Sequence, residues 1–227
     1  MKPLLLILCA LPMLAQQGMN LYSIEKEIAL GDRLASEIQQ HVTLIPDARV
    51  DRLGGALAPK TSPFRYRFPV FDGPQSGGAE PGAVFFDGTL AVPGGTVFVP
   101  RSLLAQDDPH LAAILAHAIA HVELRHGTRL LTRRELSQIG ERTASIAVPE
   151  GTPAVGPDLI LPQFSRNLEL AADRRAVQLL HDAGFNPAAL LDYLRTLPEG
   201  KPSVVQIHPD PARRIEAVEK AIADLPQ

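Results

Sequence analysis

Two histidines, His117 and His121, stand four residues apart in the run Ala116-His117-Ala118-Ile119-Ala120-His121-Val122-Glu123-Leu124-Arg125-His126. On a helix that interval puts both imidazoles on one face, a turn apart, within reach of a single tetrahedral metal ion. Hydrolysis at such an ion needs a further group, a glutamate directly after the first histidine, to take a proton from metal-bound water. The residue there is Ala118. The metal scaffold is therefore written in the sequence while its general base is not. Two histidines on an alanine-rich segment are also compatible with ordinary buried polar residues, so the pair alone leaves metal binding and no metal at all both open.

Asp107-Asp108-Pro109 predicts the start of a helix, with an aspartate to cap free N–H groups and a proline in the first turn; Gly127 predicts its stop. Leu111, Ile114, Leu115, Ala118, Ile119 and Val122 give this helix a broad apolar face, so it is expected to be buried and to carry the imidazoles inward. Burying them without partners would cost free energy. A catalytic-type zinc site also needs a third protein ligand from another element. The stretch Ser165-Arg166-Asn167-Leu168-Glu169-Leu170-Ala171-Ala172-Asp173 offers Glu169 and Asp173, again four apart. Beside Arg166, Arg174 and Arg175, carboxylates would ordinarily form a solvated face. Opposite two inward histidines they compete for another role, with Glu169 on the metal and Asp173 accepting the second ring N–H of a histidine.

The remaining chain supplies the frame. Asn20 to Gln40 carries Leu21, Ile24, Ile28, Ala35 and Ile38 at helical intervals, which predicts an amphipathic helix on the core surface. A second helix is expected from Asp47, weakened by Gly54-Gly55. Alternation from Phe64 to Phe71 predicts a half-exposed strand, and Pro69 places it at a sheet edge. Asp72 to Gly82 reads as a loop. Val84-Phe85-Phe86, Leu90-Ala91-Val92 and Thr96-Val97-Phe98-Val99 follow as short strands, completing a small antiparallel sheet before the His117 helix. Further helices are expected over Thr128 to Ile146, from Ser165 or Asn167 to His181 with Gly184 as stop, from Asn186-Pro187 to Leu197, and from Asp210-Pro211 to Ala223. Val148 to Pro162 reads as a connection. The fold class expected is α+β, mostly helical, in one domain spanning residues 20–227.

Composition narrows the partners. A net charge of −3, aromatics at 5% and no tryptophan argue against nucleic acid as the main partner. Residues 1–15 have a basic end and an apolar run too short to span a bilayer, which reads as a secretory signal peptide. The single cysteine, Cys9, lies inside it, so no disulfide is expected in the exported protein. No later segment has the length of a membrane span.

Taken together, the motifs resemble the zinc metallopeptidases of the HtpX and CaaX-prenyl-protease type, a family with exported bacterial members. Those proteins carry a strand ending in P-G-G, then H-E-x-x-H-x-x-x-x-H, then S-R-x-x-E-x-E-A-D, then H-P-x-x-x-x-R-I. This chain has Pro93-Gly94-Gly95, then His117 and His121 with His126, then Ser165-Arg166 through Glu169 and Ala172-Asp173, then His208-Pro209 through Arg214-Ile215, in the same order. The resemblance implies a zincin-like fold, Zn²⁺ held by His117, His121 and Glu169, and Asp173 supporting a ligand. It implies that His208 lies near the metal, that the strand leading to Pro93-Gly94-Gly95 pairs with a polypeptide substrate or client, and that the setting is the bacterial periplasm. Ala118 then stands where the catalytic glutamate belongs, Ala171 replaces the second glutamate of the E-x-E-A-D run, and Gly88 replaces a frequent asparagine.

No obvious residue takes over from the missing base. Glu123, five positions past Ala118, lies about 140° round an ideal helix. His208 is the better substitute, although the resemblance places it on the side that stabilises charge. Loss of a general base typically costs about 10²–10⁴-fold in rate. The sequence therefore points to a metallopeptidase scaffold with weak or absent hydrolysis that holds peptides, in the manner of a chaperone. The rivals are a working endopeptidase with a substitute base and a structural protein without metal.

Overall fold

The structure, a computed structural model, describes residues 19–72, 84–86, 88–147, 157–197 and 211–226. Among these are seven α-helices and a five-stranded sheet, in the order α1 (Ile24–Gln39), β1 (Thr43–Ile45), α2 (Ala48–Leu57), β2 (Val70–Asp72), β3 (Val84–Phe86), β4 (Thr89–Ala91), β5 (Val97–Pro100), α3 (Asp108–Glu123), α4 (His126–Ala147), α5 (Pro157–Asp182), α6 (Ala188–Thr196) and α7 (Pro211–Ala223). The proposed signal peptide and His208 lie outside the described residues, as do residues 73–82 of the expected loop and 148–156 of the expected connection.

Helix α3 is the axis of the fold. The Asp107 side chain accepts from the His110 N–H at 3.0 Å and Pro109 sits in the first turn, as the sequence predicts. Every residue from Leu111 to Val122 is buried, so α3 is not a surface helix with one apolar stripe but an element covered on all sides. Its alanines at 112, 113, 116, 118 and 120 leave room for close neighbours, and α2, α4, α5, α6 and the sheet all pack against it.

The sheet runs β1-β2-β5-β4-β3. It is mixed rather than antiparallel: β2 and β5 pair in parallel, Val70 opposite Val99, while the other neighbours are antiparallel. The β3–β4 hairpin accounts for this, because it returns the chain so that β5 arrives alongside β2 in the same direction. Strand side chains split by the period of two. Val70, Ala91, Val97 and Val99 join the main core with α3, whereas Phe71, Leu90, Val92 and Phe98 join Leu34 and Ala35 of α1 in a second cluster. All of β5 is buried because both faces are covered.

Several expectations are corrected. The Phe64–Phe71 segment is a strand only from Val70, with an isolated bridge between Arg67 and Thr96, and it is not an edge: β1, which the sequence did not announce, pairs on its outer side. Phe64 and Phe68 are buried. Helix α1 begins at Ile24 rather than Asn20, capped by Ser23, and Leu21 is exposed. Gly127 does not end α3. The chain turns at Leu124-Arg125, with Arg125 at φ 59°, and α4 starts at His126 with Gly127 inside it. Helix α5 begins at Pro157, earlier than Ser165, so residues 157–162 are helical and not part of a connection. Gly184, at φ 77°, ends α5 as expected.

Pro93-Gly94-Gly95 forms a single 3-10 turn between β4 and β5, packed on α1. The fit is close enough to demand glycine on both sides: a Cβ on Gly31 of α1 would lie 1.7 Å from the Pro93 carbonyl oxygen, and one on Gly95, at φ 120°, would lie 2.4 Å from the Arg65 oxygen.

Candidate metal centre

Helices α3 and α5 bring together the residues that the spacing arguments selected separately. One donor atom each from His117, His121 and Glu169 fall within 4.8 Å of one another. The two histidine Nε2 atoms are 2.9 Å apart, His121 Nε2 is 3.3 Å from Glu169 Oε1 and His117 Nε2 is 3.5 Å from Glu169 Oε2. Ligands about 2.0–2.1 Å from a tetrahedral zinc lie about 3.3 Å from each other. The separations of the two nitrogens from each other and from the nearer oxygen of the Glu169 carboxylate are thus of the order of a tetrahedron's edges, and two nitrogens with one carboxylate are a donor set zinc accepts. The residues present fit the ion.

What surrounds the donors explains their orientation. His117 Nδ1 lies 2.8 Å from Asp173 Oδ1, so the ring donates its N–H there and leaves the Nε2 lone pair free to face His121 and Glu169. Asp173 is fixed in turn by Arg214 of α7, which donates from Nε to Oδ2 at 2.8 Å and from Nη2 to Oδ1 at 2.6 Å. Asp173 is 0% and Arg214 3% exposed, so a charged pair is buried behind His117. His121 has a different support: its Nδ1 lies 3.1 Å from Nδ1 of His126.

Burial sets the electrostatics. It is the largest influence on His117 and works against protonation, but the hydrogen bonds that the ring makes to Asp173 and Glu169 outweigh it and raise the pKa. For His121 burial dominates and is reinforced by the neighbouring histidines, so its pKa falls well below the ordinary value. Burial and the charge of Arg129 push His126 down to about 3. Burial would raise the Asp173 carboxyl, yet Arg214 holds it below the usual range. His121 and His126 are thereby kept neutral, the form in which an imidazole can bind a metal.

Ala118 is fully buried and joins the main apolar cluster. Glu123, the other carboxylate on α3, is turned away as the helical angle requires: both its oxygens are taken by Arg175, at 2.7 and 2.9 Å. The strand leading to Pro93-Gly94-Gly95 does not offer an edge, because β4 pairs with β5 on one side and β3 on the other. Among the described residues the outer strand on that side is β3. Arg214 and the contact of His126 with His121 were not foreseen as parts of the site. Arg214 lay within the His208-to-Ile215 run and His126 within the histidine motif, so the sequence held a signal for both without assigning a role.

Buried imidazoles from one helix meet a carboxylate from a second, a group that could hold a metal ion as the centre of a metallopeptidase does. The sequence model of peptidase family M48 matches residues 79–222, and the chain belongs to that family. Members are metallopeptidases, typically zinc-dependent. Among curated relatives, the beta-barrel assembly-enhancing proteases of Yersinia pestis and of Escherichia coli K12 are each 25% identical, over 85% and 90% of this chain, and a putative beta-barrel assembly-enhancing protease of Vibrio cholerae is 28% identical over 85% of it. The chain spans only 43–45% of the length of these relatives.

Proposed function

We propose that this chain is an exported zinc-binding protein of the HtpX and CaaX-prenyl-protease type within the M48 family, and that it holds polypeptides more than it cleaves them. The observation that carries the reading is the convergence of His117, His121 and Glu169 within 4.8 Å around a position next to which the sequence supplies Ala118 in place of a glutamate. Zinc held by these three residues would polarise a peptide carbonyl and lower the pKa of a bound water. The protein's own part is to keep His117 oriented through Asp173 and Arg214 and to keep His121 neutral; the family resemblance gives His208 the role of partner to developing charge. With alanine at 118 no carboxylate takes the proton, and slow hydrolysis follows.

The client is an unfolded polypeptide. The names of the relatives, which refer to beta-barrel assembly, favour chains destined for β-barrels, and the signal-like residues 1–15 favour the bacterial periplasm. On the side of the Pro93-Gly95 turn a client strand would add beside β3, the outer strand there among the described residues, since β4 has neighbours on both sides. A second reading, an active endopeptidase in which His208 serves as base, is favoured by the word protease in those same names.

Two measurements decide. Elemental analysis of the purified protein is expected to give one zinc per chain; its absence, with stability indifferent to chelator, defeats the metal reading. Casein cleavage is expected to be slow in the native protein and to rise in Ala118→Glu. Equal rates in the two would favour the active endopeptidase.

A further inference from the structure

The turn between α3 and α4 holds a buried acid that the metal centre does not touch. Glu27 of α1 is 1% exposed, a rare place for a carboxylate without paired charge. Its Oε2 accepts from Arg125 Nε and, at 2.9 Å, from Thr128 Oγ1. Arg125 Nη2 also donates to the Tyr22 carbonyl. Asn20 Nδ2 donates to Thr128 Oγ1 at 2.8 Å and the Leu21 N–H to Thr132 Oγ1 at 3.0 Å. Residues 20–22 and the start of α1 are in this way strapped to the first turns of α4, whose first residue is His126.

Arg125 is the only non-glycine residue with positive φ among the described residues. That conformation is unfavourable for a side chain with a Cβ, and it persists where the surroundings hold it. Here the surroundings are Glu27 and the Tyr22 carbonyl. The consequence falls one residue later. The left-handed turn folds the chain back so that the His126 ring stands edge-on to His121, centroids 4.9 Å apart at 80°, with their Nδ1 atoms 3.1 Å apart. For His121 to offer the lone pair of Nε2 to a metal, its proton must sit on Nδ1, and His126 Nδ1 is the acceptor in reach.

We propose that Glu27, acting through Arg125, is a positioning residue of the metal centre: it fixes the left-handed turn that sets His126 against His121 and so keeps His121 Nε2 presented to the ion. This rests on the reading of His117, His121 and Glu169 as ligands, yet the ring pairing can be measured without metal. The position of Glu27, 98 residues before Arg125, makes the segment around α1 part of the metal centre's support even though it supplies no ligand.

The test uses the full chain with Glu27→Ala, Glu27→Gln and Arg125→Gly. Zinc affinity is measured by competition with a chromophoric chelator, and the pairing of the His121 and His126 rings in zinc-free protein by ring-to-ring nuclear Overhauser contacts. Glu27→Ala and Arg125→Gly are expected to lose the ring contacts and to weaken zinc about 10-fold or more. Glutamine keeps an acceptor oxygen at the same reach, so Glu27→Gln is expected to recover much of both. Glycine can enter the left-handed region but populates other backbone regions as readily, so in Arg125→Gly nothing pins the turn once the guanidinium is gone, and the loss reports the missing strap to Glu27. If Glu27→Ala and Arg125→Gly keep wild-type ring contacts and zinc affinity while only Tm falls, Glu27 is an anchor of α1 alone and the proposal is overturned. If the wild type binds no zinc but both variants still lose the ring contacts, the ligand reading fails while the positioning relationship stands.

Discussion

Asp173 and Arg214 form a two-pronged pair, at 2.8 and 2.6 Å, that lies directly behind His117 and is closed to solvent. The carboxylate has one oxygen shared between Arg214 and the imidazole, so the same group satisfies a buried cation and orients the His117 ring. Removing it in Asp173→Ala takes the two-pronged carboxylate partner from a buried guanidinium, and breaking a buried pair in this way costs about 3–5 kcal/mol. Zinc affinity is expected to fall about 10–100-fold as His117 loses its fixed tautomer. Urea denaturation and chelator competition on the same sample read the two effects separately.

Placing a carboxylate at position 118 is the sharpest test of the proposed chemistry. Ala118→Glu is expected to raise casein hydrolysis by about 10²–10⁴-fold. The site is fully buried in the native protein, so the longer side chain will also cost stability, and Ala118→Gln is the proper control. It adds the same bulk without a proton acceptor of useful basicity. A gain in glutamate alone assigns the effect to proton transfer; an equal gain in glutamine would assign it to a change of packing.

Zinc should stabilise the fold. An ion that binds the native state and not the unfolded chain at 100 times its dissociation constant contributes about 2.7 kcal/mol. Chelator is therefore expected to lower Tm in the native protein. The same chelator should leave Tm unchanged in a variant carrying both His117→Ala and His121→Ala, read by thermal denaturation with and without added zinc.

The elements whose signals are local were legible from the sequence. Asp107 with Pro109 caps α3, Gly184 ends α5, and the four-residue spacings of His117 with His121 and of Glu169 with Asp173 put each pair on one face. Whatever depends on partners far along the chain was not. Glu27 looks like the neighbouring Glu25 and Glu37 of an amphipathic helix, and only Arg125 and Thr128 make it a buried group. Arg214 becomes part of the site because α7 packs on α5, a contact no periodicity announces. The stop of α3 was assigned to Gly127 because glycine is the residue that ordinarily enters the left-handed region, whereas side-chain hydrogen bonds let Arg125 do so. The parallel pairing of β2 with β5 likewise follows from the intervening hairpin and not from either strand's own residues.

The contact between α1 and the Pro93-Gly95 turn predicts an intolerance to a single methyl group. Gly31→Ala would place a Cβ 1.7 Å from the Pro93 carbonyl oxygen, where backbone meets backbone and no side chain can swing aside. Helix α1 must move off the turn, at a cost of about 1–3 kcal/mol by the usual scale of overpacking. Gly55→Ala, which meets nothing within 4 Å, is the matched control and is expected to be neutral or mildly stabilising in its helix.

The strap over α4 has an alkaline signature. Tyr22 donates its phenolic O–H to Glu135 at 2.6 Å, and that hydrogen bond, with burial and the charge of Glu135, raises its pKa to about 12. Burial raises Tyr66 to about 12 as well. In the unfolded chain these phenols ionise near 10. Below that pH both states keep the protons and the stabilisation is fully present. Between 10 and 12 the unfolded chain has released protons that the native state retains, so stability falls as pH rises through this window. Phenolate absorbance in the native protein is expected to show two tyrosines ionising late, and Tyr22→Phe to remove one of them. The same substitution should flatten the loss of Tm between pH 10 and pH 12; a wild-type loss of the same steepness in Tyr22→Phe would mean that the Tyr22–Glu135 contact does not form in solution.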